Sequence, residues 1–192
     1  MPGSSLWLLP PQSHPLNSKL PTLIDRTSSH FGSAHRFLPH ITLTSEISAS
    51  AHSPDPQAWL DALEIPLNDT IAVKFHHLAS EDVFFRKLYV KCEKGEGLRK
   101  LAALSRREVE GFEEEVAAKW AAETYNPHLS LLYHDNLPVN ARGLDEVEKL
   151  AQSVGVDVTG QSDSGGWTGG RLVLVPTDKP VDQWIPIAER KL

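Results

Sequence analysis

The chain has 192 residues, 40% of them hydrophobic, and a formal net charge of −6. That is enough for one substantial core and one domain over residues 1–192, while the acidic balance opposes a long electrostatic footprint on nucleic acid. Cys92 is the single cysteine, so no intrachain disulfide can form and a reducing compartment fits. Residues Met1 to Ser5 carry no basic region, and the apolar run Leu6 to Leu9 is far too short for a signal peptide or a membrane span. An intracellular, cytoplasmic monomer is expected.

Leu6 to Leu9 reads as a first strand, stopped by Pro10-Pro11, neither of which can donate to a ladder. Leu16, Leu20, Leu23 and Ile24 then fall at helical spacing from Leu16 to about Phe31. Asn17 or Ser18 stands near the start as a cap, Pro21 fits the first turn if the helix starts late, and Gly32 lies past the end. Pro39-His40-Ile41-Thr42-Leu43 alternates polar and apolar residues, the pattern of a half-buried strand. Side chains two apart share a face, so His40 and Thr42 point one way and Ile41 and Leu43 the other. Pro54-Asp55-Pro56 opens a short helix through Ala58, Trp59, Ala62 and Leu63, ended before Pro66. Ile71 to Leu78 and Val83 to Cys92 read as two strands, turned by Ala79 to Asp82.

A helical stretch follows around Leu98, Leu101, Ala102 and Leu104, then a charged turn from Ser105 to Glu108. Phe112 to Ala122 is helical again, with Phe112, Val116 and Trp120 on one face and Glu113 to Glu115 near its start, where the helix dipole favours acids. Tyr125-Asn126-Pro127 ends it and launches Pro127-His128-Leu129-Ser130-Leu131. Leu144 to Val154 forms one more amphipathic helix, Val156 to Val158 a short strand, Gln161 to Gly170 a Gly- and Ser-rich loop, and Leu172 to Val175 a last buried strand. Interspersed helices and strands with direct strand-to-strand turns give an α+β fold with antiparallel sheets.

The strand at Pro39 and the strand at Pro127 are two copies of one pattern, their histidines 88 positions apart. Each offers one imidazole and one hydroxyl to a common face. Histidine is readily poised in either protonation state, so one neutral and one protonated imidazole can act together as base and acid. The hydroxyls of Thr42 and Ser130 can donate to the non-bridging oxygens of a phosphate ester. This chemistry needs no metal and no cofactor. A single His-x-Thr arises by chance; two with the same flanking Pro and Leu read as a site built twice.

The motif pair resembles the two-histidine (2H) phosphoesterases. Within them the fungal 2′,3′-cyclic-nucleotide 3′-phosphodiesterases are similar at Ser5-Leu6-Trp7 with Pro10-Pro11, at Pro39 to Ser45 and at Pro127 to Asp135. Val173-Leu174-Val175-Pro176, Pro180-Val181 and Trp184 match as well. The resemblance implies a bilobal domain with pseudo-twofold symmetry, each lobe an antiparallel sheet with outer helices, and the two motifs at a central cleft. It implies cleavage of a cyclic nucleotide at the 3′ bond to leave the 2′-phosphate, with His128 as base for water and His40 as acid. It further implies ADP-ribose 1″,2″-cyclic phosphate from tRNA splicing as the natural substrate, and a possible association with the Golgi. The repeat itself is too symmetric to say which histidine is base.

Other residues carry weaker signals. By strict alternation Tyr133 faces away from His128, whereas in the family a Tyr at the matching place lines the substrate pocket. Trp167 and Arg171, flanking Gly169-Gly170, are candidates to stack on a base and steer phosphate from a pliable loop. Trp7 reads as core. His76 and His77, adjacent on a strand, should face opposite ways and so cannot share a metal. His14, His30, His35 and His52 read as solvated, and His134 as lying near the cleft. No Cys cluster, ligand spacing or phosphate-cradling Gly-rich loop is present, so neither a metal site nor a nucleoside triphosphatase is expected. The expected partner is a small nucleotide with a cyclic phosphate rather than a long nucleic acid. The alternatives are a two-histidine enzyme acting on RNA ends and a non-catalytic nucleotide- or RNA-binding module.

Overall fold

The computed structural model describes residues 3–65, 70–136 and 138–192. Its strands are β1 (Ser4–Leu9), β2 (Ile41–Ile47), β3 (Ala72–Ala79), β4 (Leu88–Cys92), β5 (His128–Leu132), β6 (Gly166–Thr168), β7 (Arg171–Pro176) and β8 (Ala188–Lys191). Five helices accompany them: α1 (Leu16–His30), α2 (Pro56–Ala62), α3 (Glu96–Arg106), α4 (Glu114–Glu123) and α5 (Ala141–Ser153). The strands form one antiparallel sheet in the order β6-β3-β4-β5-β2-β1-β7-β8.

That sheet has two halves. Counting outward from the middle, one runs β2-β1-β7-β8 and the other β5-β4-β3-β6, and among the described residues their strands pair where Ile41 of β2 meets Leu129 of β5. The two motif strands therefore meet at the seam. Helices α1 and α3 are exchanged across it, α1 packing on β5 and α3 on β2. Alternation along each strand sorts the side chains onto two faces. Leu6, Leu8, Ile41, Leu43, Leu88, Val90, Leu129, Leu131, Leu172 and Leu174 join the helices in the main core. The opposite face carries a smaller cluster of Trp7, Leu9, Tyr133, Val173, Val175 and Trp184, with Phe37, Phe84 and Phe85 packed against it. No helix among the described residues is long and apolar enough to cross a membrane.

Local chemistry moves several boundaries. Helix α1 starts at Leu16 after Pro15, with no side-chain cap, so Asn17 and Ser18 are inside it and Pro21 is interior, on the exposed side. Asp55 caps α2 by accepting from the Ala58 amide; the Pro66 expected to stop that helix lies outside the described residues. The span Val83 to Cys92 is not one strand. Phe84–Arg86 forms a 3-10 turn before β4, closed where the Glu81 amide donates to the Arg86 carbonyl. Helix α3 takes in the expected turn at Ser105, whose buried hydroxyl donates to the Leu101 carbonyl. Helix α4 buries Ala117 and Ala121 and leaves Val116 50% exposed, so its inner face is one position round from the expected one. Val156 to Val158 is no strand but leads into a turn at Val158, where the Asp157 carboxylate accepts from the amides of Thr159, Gln161 and Ser162. Strand β8 carries no apolar alternation and gives no signal in sequence.

Candidate active site

Pro39 and Pro127 keep the chain extended just before the two histidines. At each site the imidazole turns back on its own strand. His40 Nδ1 lies 2.6 Å from the Leu38 carbonyl, and His128 Nδ1 lies 2.9 Å from the Asn126 carbonyl. A carbonyl only accepts, so Nδ1 carries the proton in both rings and the neutral tautomer leaves Nε2 free. The sequence repeat is thus a repeat of tautomer control.

The surroundings of the two rings differ. His40 is 6% exposed and lies flat on the Trp7 indole, centroids 3.7 Å apart and 8° from parallel, with Phe37 edge-on. Desolvation outweighs the Leu38 hydrogen bond and, with the nearby His128 charge, pushes its pKa down to about 4. His128 meets the edge of Tyr89, centroids 5.3 Å apart. Desolvation lowers its pKa as well, helped by Arg86 and opposed by the Asn126 hydrogen bond and by Glu81. These groups are linked: the Tyr89 hydroxyl donates to Glu81 Oε1 at 2.6 Å, and Arg86 holds Glu81 Oε2 at 3.0 Å. Burial and Glu81 together push the Tyr89 phenol up to about 12, so it remains a donor.

The hydroxyls differ too. Thr42, opposite Trp7 in the β1/β2 ladder, is half-buried, and its hydroxyl makes no hydrogen bond among the described residues. Ser130, opposite Tyr89, donates to the Phe85 carbonyl at 2.8 Å and also interacts with the Tyr133 phenol. Strand β5 ends at Leu132, which releases Tyr133 from strict alternation. Tyr133 is 2% exposed, stacks on Phe37 at 3.7 Å and packs against Phe84, Phe85 and Trp184 on the same side of the sheet as the histidines.

Trp167 and Arg171 are not brought to this site. Trp167 lies on β6, pairs with Val73, is 4% exposed and meets Phe75 edge-on in the main core. It is no loop residue free to stack on a base. Arg171 donates to the Pro10 carbonyl (3.1 Å) and Asn17 Oδ1 (2.7 Å) and pairs with Glu189 (3.1 Å), a clip tying β7 to β8 and the start of α1. His76 and His77 do not face opposite ways. An irregularity between Phe75 and His77 puts both outside, with Nδ1 atoms 2.6 Å apart. Among the described residues no group of three or more His, Cys, Asp or Glu side chains is gathered for a metal ion. Tyr89 and Lys91 escape the sequence reading, although their alternation with Leu88, Val90 and Cys92 on β4 would have put them on the histidine face.

Comparison with known proteins agrees with the two-histidine resemblance. The model of the cyclic phosphodiesterase-like protein family matches residues 1–192. A 2′,3′-cyclic-nucleotide 3′-phosphodiesterase of Phaeosphaeria nodorum is 76% identical over 193 residues, covering 100% of both chains. One of Neurospora crassa is 39% identical over 213 residues, again covering 100% of both. The crystal structure of E. coli LigT complexed with 3′-AMP shares the fold, with a TM-score of 0.53 at 14% identity, covering 100% of this chain and 99% of that one.

Proposed function

The chain belongs to the cyclic phosphodiesterase-like family, and we propose that it hydrolyses 2′,3′-cyclic nucleotides to nucleoside 2′-phosphates, with His40 and His128 as its acid–base pair. The observation that carries the reading is the matched pinning of the two rings: each Nδ1 is held by the carbonyl two residues upstream, and neither Nε2 has a hydrogen-bond partner among the described residues. A binding module would have no use for two imidazoles set in the same tautomer.

In the proposed reaction His128 Nε2 takes a proton from water as the water oxygen bonds to phosphorus. The bond from phosphorus to the 3′ oxygen breaks in line, and His40 Nε2 gives that oxygen its proton. Each turnover leaves His128 protonated and His40 neutral, and proton exchange with solvent restores the starting state. Thr42 donates to one equatorial oxygen; Ser130 does the same once its hydroxyl leaves the Phe85 carbonyl. The imidazoles perform both proton transfers, so the chemistry needs no Lewis acid. His40 sits in surroundings that disfavour its charge, and the anionic phosphate bound beside it supplies the compensating charge that lets it act as acid.

The proposed natural substrate is ADP-ribose 1″,2″-cyclic phosphate formed in tRNA splicing, as the resemblance carried by the two motifs implies. The test is a comparison of kcat/KM for this compound and for adenosine 2′,3′-cyclic phosphate, with the product isomer identified by chromatography. Formation of the 2′-phosphate from adenosine 2′,3′-cyclic phosphate and of ADP-ribose 1″-phosphate from the ADP-ribose compound, with faster turnover of the latter, are expected. Formation of the 3′-phosphate would overturn the proposed bond cleavage.

A further inference from the structure

Beside His128 the sheet carries a row of basic side chains that the reaction does not use. In the antiparallel ladders His128 of β5 stands opposite Lys91 of β4, and Lys91 opposite His77 of β3. All three are on the face away from the main core, since Cys92 and Val90 flank Lys91 in that core. Neighbouring strands are roughly 5 Å apart, so the row steps outward from His128 by about one strand and then two. Those steps are of the order that separates a ribose ring's cyclic phosphate from a substituent on its 5′ oxygen.

Lys91 is half-buried and makes no hydrogen bond or ion pair among the described residues. The nearby carboxylates are already engaged, Glu93 by Lys74 at 2.8 Å and Glu81 by Arg86 and Tyr89. At the outer end, His76 and His77 are exposed with Nδ1 atoms 2.6 Å apart, so one ring donates there and the other, accepting, carries its proton on Nε2. Desolvation, His76 and Lys91 all disfavour a charge on His77. A row of unneutralised basic groups is stabilised by an anion.

We propose that Lys91, His77 and His76 form a second anion subsite, which takes a further phosphate carried on the 5′ oxygen of a ribose cyclic-phosphate substrate. Lys91 bonds the phosphate nearest the ring, and the histidine pair holds its outer oxygens or a second phosphate in a diphosphate. The subsite rests on the cyclic phosphodiesterase reading of the neighbouring site, and deepens it by assigning the side chains that read a phosphate at the 5′ end of the substrate.

The experiment compares kcat/KM for adenosine 2′,3′-cyclic phosphate with and without a 5′-phosphate, in the unaltered protein, Lys91→Met and His77→Gln. The unaltered protein should prefer the 5′-phosphorylated substrate about tenfold, the scale of one charge-assisted hydrogen bond, and both variants should lose most of that ratio. Equal rates on the two substrates, or a preference that survives both substitutions, would overturn the subsite while leaving the cyclic phosphodiesterase reading intact. Calorimetric binding of adenosine 2′,5′-bisphosphate against 2′-AMP makes the same comparison without turnover. Equal affinities there would overturn the subsite even if neither cyclic nucleotide is hydrolysed, an outcome that by itself would count against the reaction.

Discussion

The imidazole of His40 lies on the indole of Trp7 with ring centroids 3.7 Å apart and planes 8° from parallel. One face of the ring is thereby closed to water, and its pKa falls to about 4. Trp7→Phe keeps an apolar neighbour but uncovers part of that face. The His40 pKa, followed by NMR of its ring protons, should rise towards 6.5, its value without these surroundings. Turnover should fall as the ring loses its fixed orientation. An unchanged His40 pKa would show that the stack is not what desolvates the ring.

Both histidines are lowered in the free protein, and the reaction needs one neutral and one protonated. The profile of kcat/KM should therefore be bell-shaped, with its optimum acidic of 6.5, the unshifted imidazole value. The kcat profile should lie at higher pH, because the bound phosphate favours imidazolium. Glu81 supports the charge on His128, so Glu81→Gln should move only the limb that follows His128, and move it to lower pH. Rate measurements across the range check this; a flat profile would contradict it.

The same burial links stability to pH. A histidine whose folded pKa lies below its unfolded value leaves the unfolded chain binding more protons between the two. Stability should then be fully present above 6.5 and be lost as pH falls towards about 4. For His40 the loss is about 3 kcal/mol, at about 1.4 kcal/mol per pH unit. His128 adds in the same direction. Denaturant titrations of His40→Asn should show a shallower decline over that window than the unaltered protein; parallel curves would mean that His40 carries no such penalty.

The two hydroxyls should separate catalysis from folding differently. Thr42 makes no hydrogen bond among the described residues, so Thr42→Ala should lower kcat about 10²-fold or more and leave the melting temperature nearly unchanged. Ser130 donates to the Phe85 carbonyl, so Ser130→Ala should show a similar loss of kcat and also lose about 1 kcal/mol of stability. Paired kinetics and thermal melts distinguish them. Full activity in Thr42→Ala would remove that hydroxyl from the reaction.

The parts of this site legible in sequence are those that strand alternation and chemistry dictate together. His40 with Thr42 and His128 with Ser130 each need one face of a strand, and the repeated Pro and Leu mark both strands. What stayed hidden depends on registers between distant segments. Tyr89, Glu81 and Arg86 meet His128 through a hairpin whose turn, Phe84–Arg86, interrupts the expected strand. The paired face of His76 and His77 comes from a strand irregularity that simple alternation does not contain. Trp167 looked like a loop residue because glycines surround it, yet a Cβ on Gly166 would fall on the Val73 carbonyl. That glycine permits the close approach that buries the tryptophan against β3. Two halves were implied by the family resemblance and not by the repeat itself, and neither contained their joining through the Ile41 and Leu129 pair.

The most direct test of the central claim is turnover of adenosine 2′,3′-cyclic phosphate in excess chelator by the unaltered protein, His40→Ala and His128→Ala. The account predicts chelator-resistant formation of the 2′-phosphate, reduced about 10²-fold or more in each variant, the scale for loss of a general acid or base. Turnover undiminished in either variant would contradict the two-histidine pair.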